Sequence, residues 1–548
     1  MLKKYQVSEN IIVIVTLIFL FAVNYIVVAD YGISIDEEST RFHGLVSLNY
    51  IFDLFNINKN SIFTENIPNL KSYEYKEYGV LFEIFLILIT EIIFNIKEFS
   101  NIFFVRHFLT HAFFIFSVIC FYYLAVKIFS NKFFAYLSSA ILYTTPRIFG
   151  ESFYNNKDIV FLSFFIFAIY FIIKLFEKES YRNTILAALF IGLLINIRVI
   201  GVYLSLMVIF ILINDLISFK KLQIKKLKLL SIFLIFNILF IYIFWPFLWG
   251  SPISNFFEAV SSFTKYGWGG SILYLGDFHS ARYLPWHYLF IWIIATIPIY
   301  LIAIIIPSYS YFFFKYSKTF LRLNQFDTKI NIWHNIEDKK IFFIFLISII
   351  PIFLYLILNP VIYNGWRHFY FLYPCFILVS LSFYKIFIDK LNKNILKKIF
   401  YIFILIIPIF NSYNLIKFHP FQYIYFNKIF ENKANNFFEI DYWGVANGYT
   451  LKKNFNVKDN NSEIFKVATG SFTDLSLSKK MLNKSLQNKL YLTGQDYSNA
   501  DFIFSNENFV SNPKYNKKFN YPLHFKEFYL LKRGNILINK IYKKHDKN

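Results

Sequence analysis

Apolar stretches close to the length of a bilayer crossing recur through the first 415 residues, and this constrains the fold more than any other feature. A helix needs about 20 predominantly apolar residues to traverse the hydrocarbon core. Twelve stretches approach that length: 11–29, 79–95, 107–126, 133–148, 159–175, 184–198, 200–214, 229–248, 286–306, 341–358, 368–386 and 399–415. Only 16% of the 548 residues are charged, where soluble domains average about 25%. An all-α polytopic membrane protein is expected over residues 1–415. The first stretch is too long and too poorly terminated for a cleaved signal peptide and reads as an uncleaved helix.

The stretch 79–95, "YGVLFEIFLILITEIIF", carries Glu83 and Glu91. A carboxylate in the middle of a span costs several kcal/mol, about 2.5–3.5 on insertion scales, unless it faces protein or water. Reading this stretch as interfacial or re-entrant leaves eleven spans. With the N-terminus inside, the lysine-rich loops then all fall on the cytoplasmic side, as the positive-inside rule requires. They include Lys127 and Lys132, Lys174 and Lys178, Lys220 to Lys228, Lys315 to Lys340, and Lys385 to Lys398. The first outer loop, 30–106, then shares the other side with 146–158, 249–285, 359–367 and the chain from 416. The short loops on that side hold only isolated cations such as Arg147, Lys157, Arg198, Lys265, Arg282 and Arg367.

The formal net charge of +22 comes largely from loop and tail lysines, and no nucleic-acid-binding motif accompanies it, so a nucleic-acid partner is not expected. The two cysteines, Cys120 and Cys375, lie in apolar runs and suggest neither a disulfide framework nor a zinc site. Residues 416–454 read as a connecting segment. From 455 to 548, short β-rich runs alternate with a polar helical stretch, ending in a hairpin that turns at Arg533-Gly534-Asn535. A small extracytoplasmic α/β domain is expected.

Three constellations can carry chemistry. "SIDEEST" places Asp36, Glu37 and Glu38 just beyond the first span, where Asp36 is the best placed to serve as a general base beside a lipid partner. "PRIFGESFYNNKD" puts Arg147, Glu151, Lys157 and Asp158 in a short turn; Pro146 ends one helix, and Asn155 or Asn156 can cap the next. Capping accounts for Asp158 but not for Arg147 or Lys157. "NGWRHFYF" places Arg367 and His368 at the outer end of a span, where a guanidinium fork suits a lipid phosphate. Arg282 is a weaker candidate of that kind.

The acidic motif, the amphipathic "KEYGVLFEIF", the Arg-led "RHFLTHAFFIF" and the "P…NNKD" turn follow one another in an order that resembles the GT-C glycosyltransferases, in their protein O-mannosyltransferase and aminoarabinose transferase branch. The resemblance covers roughly residues 1–210. It implies that Asp36 matches the catalytic carboxylate, Asp158 the second acid, and Arg198 a basic residue near the lipid phosphate. The Asp-Glu-Glu triplet leaves Asp36 and Glu37 both open as the base. "HPFQYIYFN" and "FEIDYWG" look like a tail signature of a bacterial subgroup, for which sequence offers no physical role beyond packing.

The implied enzyme is a hexosyl- or pentosyltransferase in the bacterial cytoplasmic membrane. It would move a sugar from a polyprenyl-phosphate donor to a hydroxyl or amine of a glycan, lipid or protein acceptor. Asp36, Glu37 and Asp158 are the candidate catalytic residues; Arg147, Lys157, Arg198, Arg367 and His368 are the candidate phosphate ligands. No cofactor is required. A divalent metal could be held if Asp36, Glu37 and Asp158 converged, but no cluster with metal-ligand spacing is present. A lipid-linked glycan transporter and a non-catalytic glycolipid-binding subunit remain the alternatives.

Overall fold

A computed structural model describes residues 2–59, 66–217, 223–264, 267–322, 335–455, 464–508 and 521–545, with Phe63, Trp333 and Phe519. Lys220, Lys221, Lys265 and Lys329 lie outside the described residues. Among those described, nine helices are long and apolar enough to cross a membrane: Asn10–Asp30, Phe99–Phe129, Asp158–Glu177, Val199–Leu216, Ile224–Ile243, Ile299–Thr319, Ile336–Leu358, Arg367–Asp389 and Asn394–Phe418.

Two of the eleven expected spans, 133–148 and 184–198, form helices shorter than these, and a third, 286–306, is displaced along the chain. The stretch 133–148 is helical only over Lys132–Thr144, because Pro146 opens a separate short helix, Pro146–Glu151. Tyr181–Ile197 has 17 residues and falls just short of the span length. The stretch 286–306 breaks before Pro298 into Tyr288–Thr296 and Ile299–Arg322, since a residue preceding proline is driven out of the helical region.

The acidic stretch at 79–95 is a short helix, Leu81–Ile87, continued by a π-helical turn to Ile93. Its acids are buried and neutralised by partners elsewhere in the chain. Glu83 accepts from Arg106 at 2.5 Å, and Glu91 from Arg41 Nε at 2.7 Å. Arg106 lies on the buried face of the helix Phe99–Phe129 and serves Glu83 as its counter-ion.

Loop lysines converge at one end of the bundle. Lys127 and Lys340 both pair with Glu177, at 2.5 and 2.8 Å, while Lys339 meets Asp215 at 2.5 Å and Lys315 meets Asp338 at 2.5 Å. Asp36, Lys157, Arg198 and Arg367 occupy the opposite helix ends.

Two sheets accompany the helices. A hairpin pairs β1 (Ser271–Tyr274) with β2 (Asp277–Ser280). The C-terminal sheet comprises β3 (Phe465–Thr469), β4 (Leu490–Gly494), β5 (Phe502–Asn506), β6 (Phe525–Arg533) and β7 (Ile536–Lys544), in the order β4-β3-β5-β7-β6. β3 lies parallel to β4 and β5, and β7 runs antiparallel to β5 and β6. The β6–β7 turn uses Gly534 at φ +56°. The sheet's surroundings reach the site end of the bundle, where Lys480 meets Glu38 at 3.1 Å.

Candidate functional site

The first span ends at Asp30, and the extended residues after it lead to Asp36, the cap of the helix Glu37–Leu54, whose carbonyl accepts from the Thr40 N–H at 2.9 Å. The next two acids part company here because successive helical residues turn by about 100°. The Asp36 side chain is 39% exposed. Glu37 turns inward, accepting from the Ser34 N–H at 2.8 Å and meeting His107 Nε2 at 2.8 Å.

The second segment is fixed by reciprocal caps. Asn155 Oδ1 accepts from the Asp158 N–H at 2.9 Å, and Asn156 donates to Thr40 Oγ1 at 3.2 Å, tying this turn to the helix behind Asp36. Lys157 therefore stands beside the carboxylate, its ammonium 3.8 Å from the centre of the Tyr78 ring. Arg198 ends the helix Tyr181–Ile197 in an extended conformation before the chain turns into the next span. Arg367 begins the turn leading into the helix Tyr373–Asp389.

These ends enclose a cavity of about 170 Å³ lined by Asp36, Tyr78, Lys157, Arg198, Arg367 and His368. One side is apolar, formed by Val199, Ile200, Phe263, Pro360 and Val361. Asp158 sits behind it, pairing with Arg198 through one oxygen and with Arg367 Nη1 at 3.3 Å through the other. Arg367 Nη1 also lies 3.6 Å from Asp36. While Lys157 is protonated, three cationic side chains thus face two carboxylates. A larger cavity of about 730 Å³ against the first helix is almost wholly apolar and is lined by none of these charges.

Burial, reinforced by Arg198 and Arg367, pushes the Lys157 ammonium down to about 7, although Asp36 and Asp158 pull the other way. Glu439, buried nearby, is pushed up to about 8 by burial, partly offset by Arg367. A carboxyl held neutral near pH 7 does not compete with Asp36 for the guanidinium.

The candidates separate into three groups. Asp36, Lys157, Arg198, Arg367 and His368 share the cavity wall. Asp158 is behind it, holding two arginines. Glu37 and Arg147 are elsewhere. Glu37 is buried against Ser34 and His107, and Arg147 donates to the Tyr425 carbonyl at 3.2 Å with its guanidinium over Trp292 and Phe426. Arg147 does not line the cavity with the other proposed phosphate ligands: its Nε is held by the Tyr425 carbonyl, and its buried Nη2 has no hydrogen-bond partner. Asp36, Glu37 and Asp158 do not converge on one point. Arg282 is exposed and bonds the Gly267 carbonyl. Glu151, pushed up to about 6 by burial, is held by Tyr370 at 2.7 Å and Asn155 at 2.8 Å.

Sequence reasoning did not find Tyr78, Tyr363, Tyr442 or Trp443, which surround the cationic groups; aromatic residues at 22% of the chain obscure them. Gly79 carried a usable signal. A Cβ there would fall on the Asn196 carbonyl oxygen, so the loop bearing Tyr78 approaches the helix bearing Arg198 only because residue 79 lacks a side chain. Gly79→Ala is expected to destabilise the protein by about 1–3 kcal/mol, the usual cost of overpacking, and to open the cavity. Thermal unfolding checks this; an unchanged midpoint would contradict the close approach.

Residues 83–245 match the family described as dolichyl-phosphate-mannose-protein mannosyltransferase. The match includes Lys157, Asp158 and Arg198 but neither Asp36 nor Arg367. No curated protein sequence matches. Among solved structures, ArnT from Cupriavidus metallidurans bound to undecaprenyl phosphate is 10% identical, with a TM-score of 0.43 over 97% of this chain and 98% of that one. Its apo form is 9% identical, with a TM-score of 0.44 over 98% of each chain. From the buried Glu83 to the end of the helix Ile224–Ile243, the chain resembles the GT-C glycosyltransferases of the protein-mannosyltransferase branch.

Proposed function

We propose that this protein is a membrane glycosyltransferase that moves a sugar from a polyprenyl-phosphate donor to an acceptor hydroxyl or amine on the non-cytoplasmic side. One observation carries the proposal: Asp36, the single carboxylate on the cavity wall, shares that wall with Lys157, Arg198 and Arg367. The family match supports the donor class, and the apolar side of the cavity, where Ile200 is 37% exposed, suits the first isoprene units.

In the proposed reaction the acceptor oxygen attacks the anomeric carbon opposite the phosphate, and Asp36 takes its proton. The bond from that carbon to the phosphate oxygen breaks, and its electron pair leaves with the polyprenyl phosphate. One displacement inverts the anomeric configuration. The phosphodiester becomes a monoester and gains about one negative charge, which preorganised cations stabilise more strongly in the transition state than in the ground state. Arg367 links the two events. Once Asp36 is protonated it no longer competes for the guanidinium, just as the leaving phosphate needs it.

Binding of a polyprenyl phosphate to the purified protein tests the cavity. Lys157 is positive below about pH 7 and neutral above it, so affinity is expected to fall as pH rises through that value. Lys157→Arg should flatten the profile. A profile flat in the wild type would remove Lys157 from phosphate binding, and no saturable binding at all would defeat the proposed function.

Sidedness is testable in cells. Lys225 and Lys393 are exposed at the lysine-rich end and Asn436 is exposed beyond the site. In intact cells a membrane-impermeant thiol reagent is expected to label Asn436→Cys but neither Lys225→Cys nor Lys393→Cys. Equal labelling of all three would contradict the topology.

A further inference from the structure

The segment "FEIDYWG", Phe438–Gly444, falls outside the family match and plays no part in the reaction proposed above. The fold anchors it firmly. Asp441 accepts from Tyr423 OH at 2.7 Å and from Asn506 Nδ2, at the end of β5, at 2.9 Å. The Ile440 N–H donates to the Asn508 carbonyl at 3.0 Å. Gly444, at φ +67°, turns the chain back so that its N–H meets the Asp441 carbonyl at 3.3 Å.

From that anchor Trp443 reaches three parts of the site. Its carbonyl accepts from the Ile35 N–H at 3.0 Å, one residue before Asp36. Its ring lies 4.6 Å from the Arg367 guanidinium, which also meets Tyr363 at 4.8 Å and Tyr442 at 5.7 Å. Its edge packs on Tyr154 at 5.6 Å, in the turn that carries Lys157. Arg367 needs such a seat. Its Nε is buried without a hydrogen-bond partner, and the carboxylates beside it hold only its tip. Aromatic faces fix a guanidinium's plane without consuming the N–H donors that a phosphate uses.

We propose that Trp443 is a positioning residue that sets Arg367 against Asp36, so that the tail segment braces the catalytic site from behind its wall and is more than a packed appendage. This rests on the transferase function proposed above. The test uses the full-length protein with a polyprenyl-phosphate sugar that the wild type consumes. Trp443→Leu is expected to lower kcat/KM for the donor about tenfold, within the range of a desolvated cation–π contact, while Trp443→Phe stays within about threefold of wild type. In an Arg367→Lys background, Trp443→Leu should add less than about a twofold loss, because the group it positions is already gone.

The same tenfold loss in both backgrounds would make Trp443 a packing residue and overturn the proposal. If Trp443→Leu does not fold, Tyr442→Leu removes a second ring from the same guanidinium and enters the same cycle, with about a threefold loss expected. The wild type separates the two levels of inference. Failure to consume any donor defeats the transferase function and this proposal with it, whereas additive losses in a working enzyme defeat this proposal alone.

Discussion

Asp36→Asn is expected to lower turnover by a factor on the order of 10²–10⁴, with donor binding nearly unchanged. The amide keeps the shape of the carboxylate but cannot take the acceptor's proton. It also removes a negative charge 3.6 Å from Arg367, which leaves that cation freer to hold a phosphate. A large loss of kcat with donor affinity held or improved is therefore the signature. Glu37→Gln should behave differently. Its carboxylate is buried on Ser34 and His107, so its loss is expected to lower stability more than it changes the chemistry of the folded fraction. A folded Asp36→Asn protein with wild-type turnover would return the triplet to a structural role.

Arg367→Ala is expected to be the most damaging change at the phosphate side. Each charge-assisted bond to the donor is worth about 1.5–3 kcal/mol, so affinity should fall by about tenfold to a hundredfold. Turnover should fall further, since the leaving group gains charge during the reaction. The variant also strips Asp158 of one of its two arginines, and breaking a buried pair costs about 3–5 kcal/mol. Its unfolding midpoint should drop as well. Arg367→Lys should recover stability better than affinity, because an ammonium cannot contact both carboxylates and a phosphate with one planar fork. Unchanged donor affinity in Arg367→Ala would make this residue an interfacial anchor.

The parts of the site that were legible in the sequence are those set by position along a span. Asp36 follows a helix end, Lys157 and Asp158 open a helix behind Asn155, and Arg198 interrupts an apolar run, so each could be placed at a bundle end from local pattern alone. Partners across the fold were not legible. Glu83 and Glu91 look like membrane-facing liabilities until Arg106 and Arg41 are brought beside them. Arg147 looks like a free cation until the Tyr425 carbonyl and two rings close over it. Helix ends were blurred for a related reason: hydropathy carries an apolar stretch through Pro146 and Pro298, whereas backbone sterics end the helices there.

The most direct measurement is donor consumption by the purified protein. A panel of radiolabelled polyprenyl-phosphate hexoses and pentoses would be incubated with it and with extracted envelope glycans and lipids, and the release of free polyprenyl phosphate followed. At least one donor is expected to be consumed by the wild type, with its label transferred to an acceptor in inverted configuration, while Asp36→Asn binds that donor and leaves it intact. Saturable binding of donors with no release, or movement of intact donor across vesicle membranes without transfer, would contradict a transferase and favour a transporter or a binding subunit.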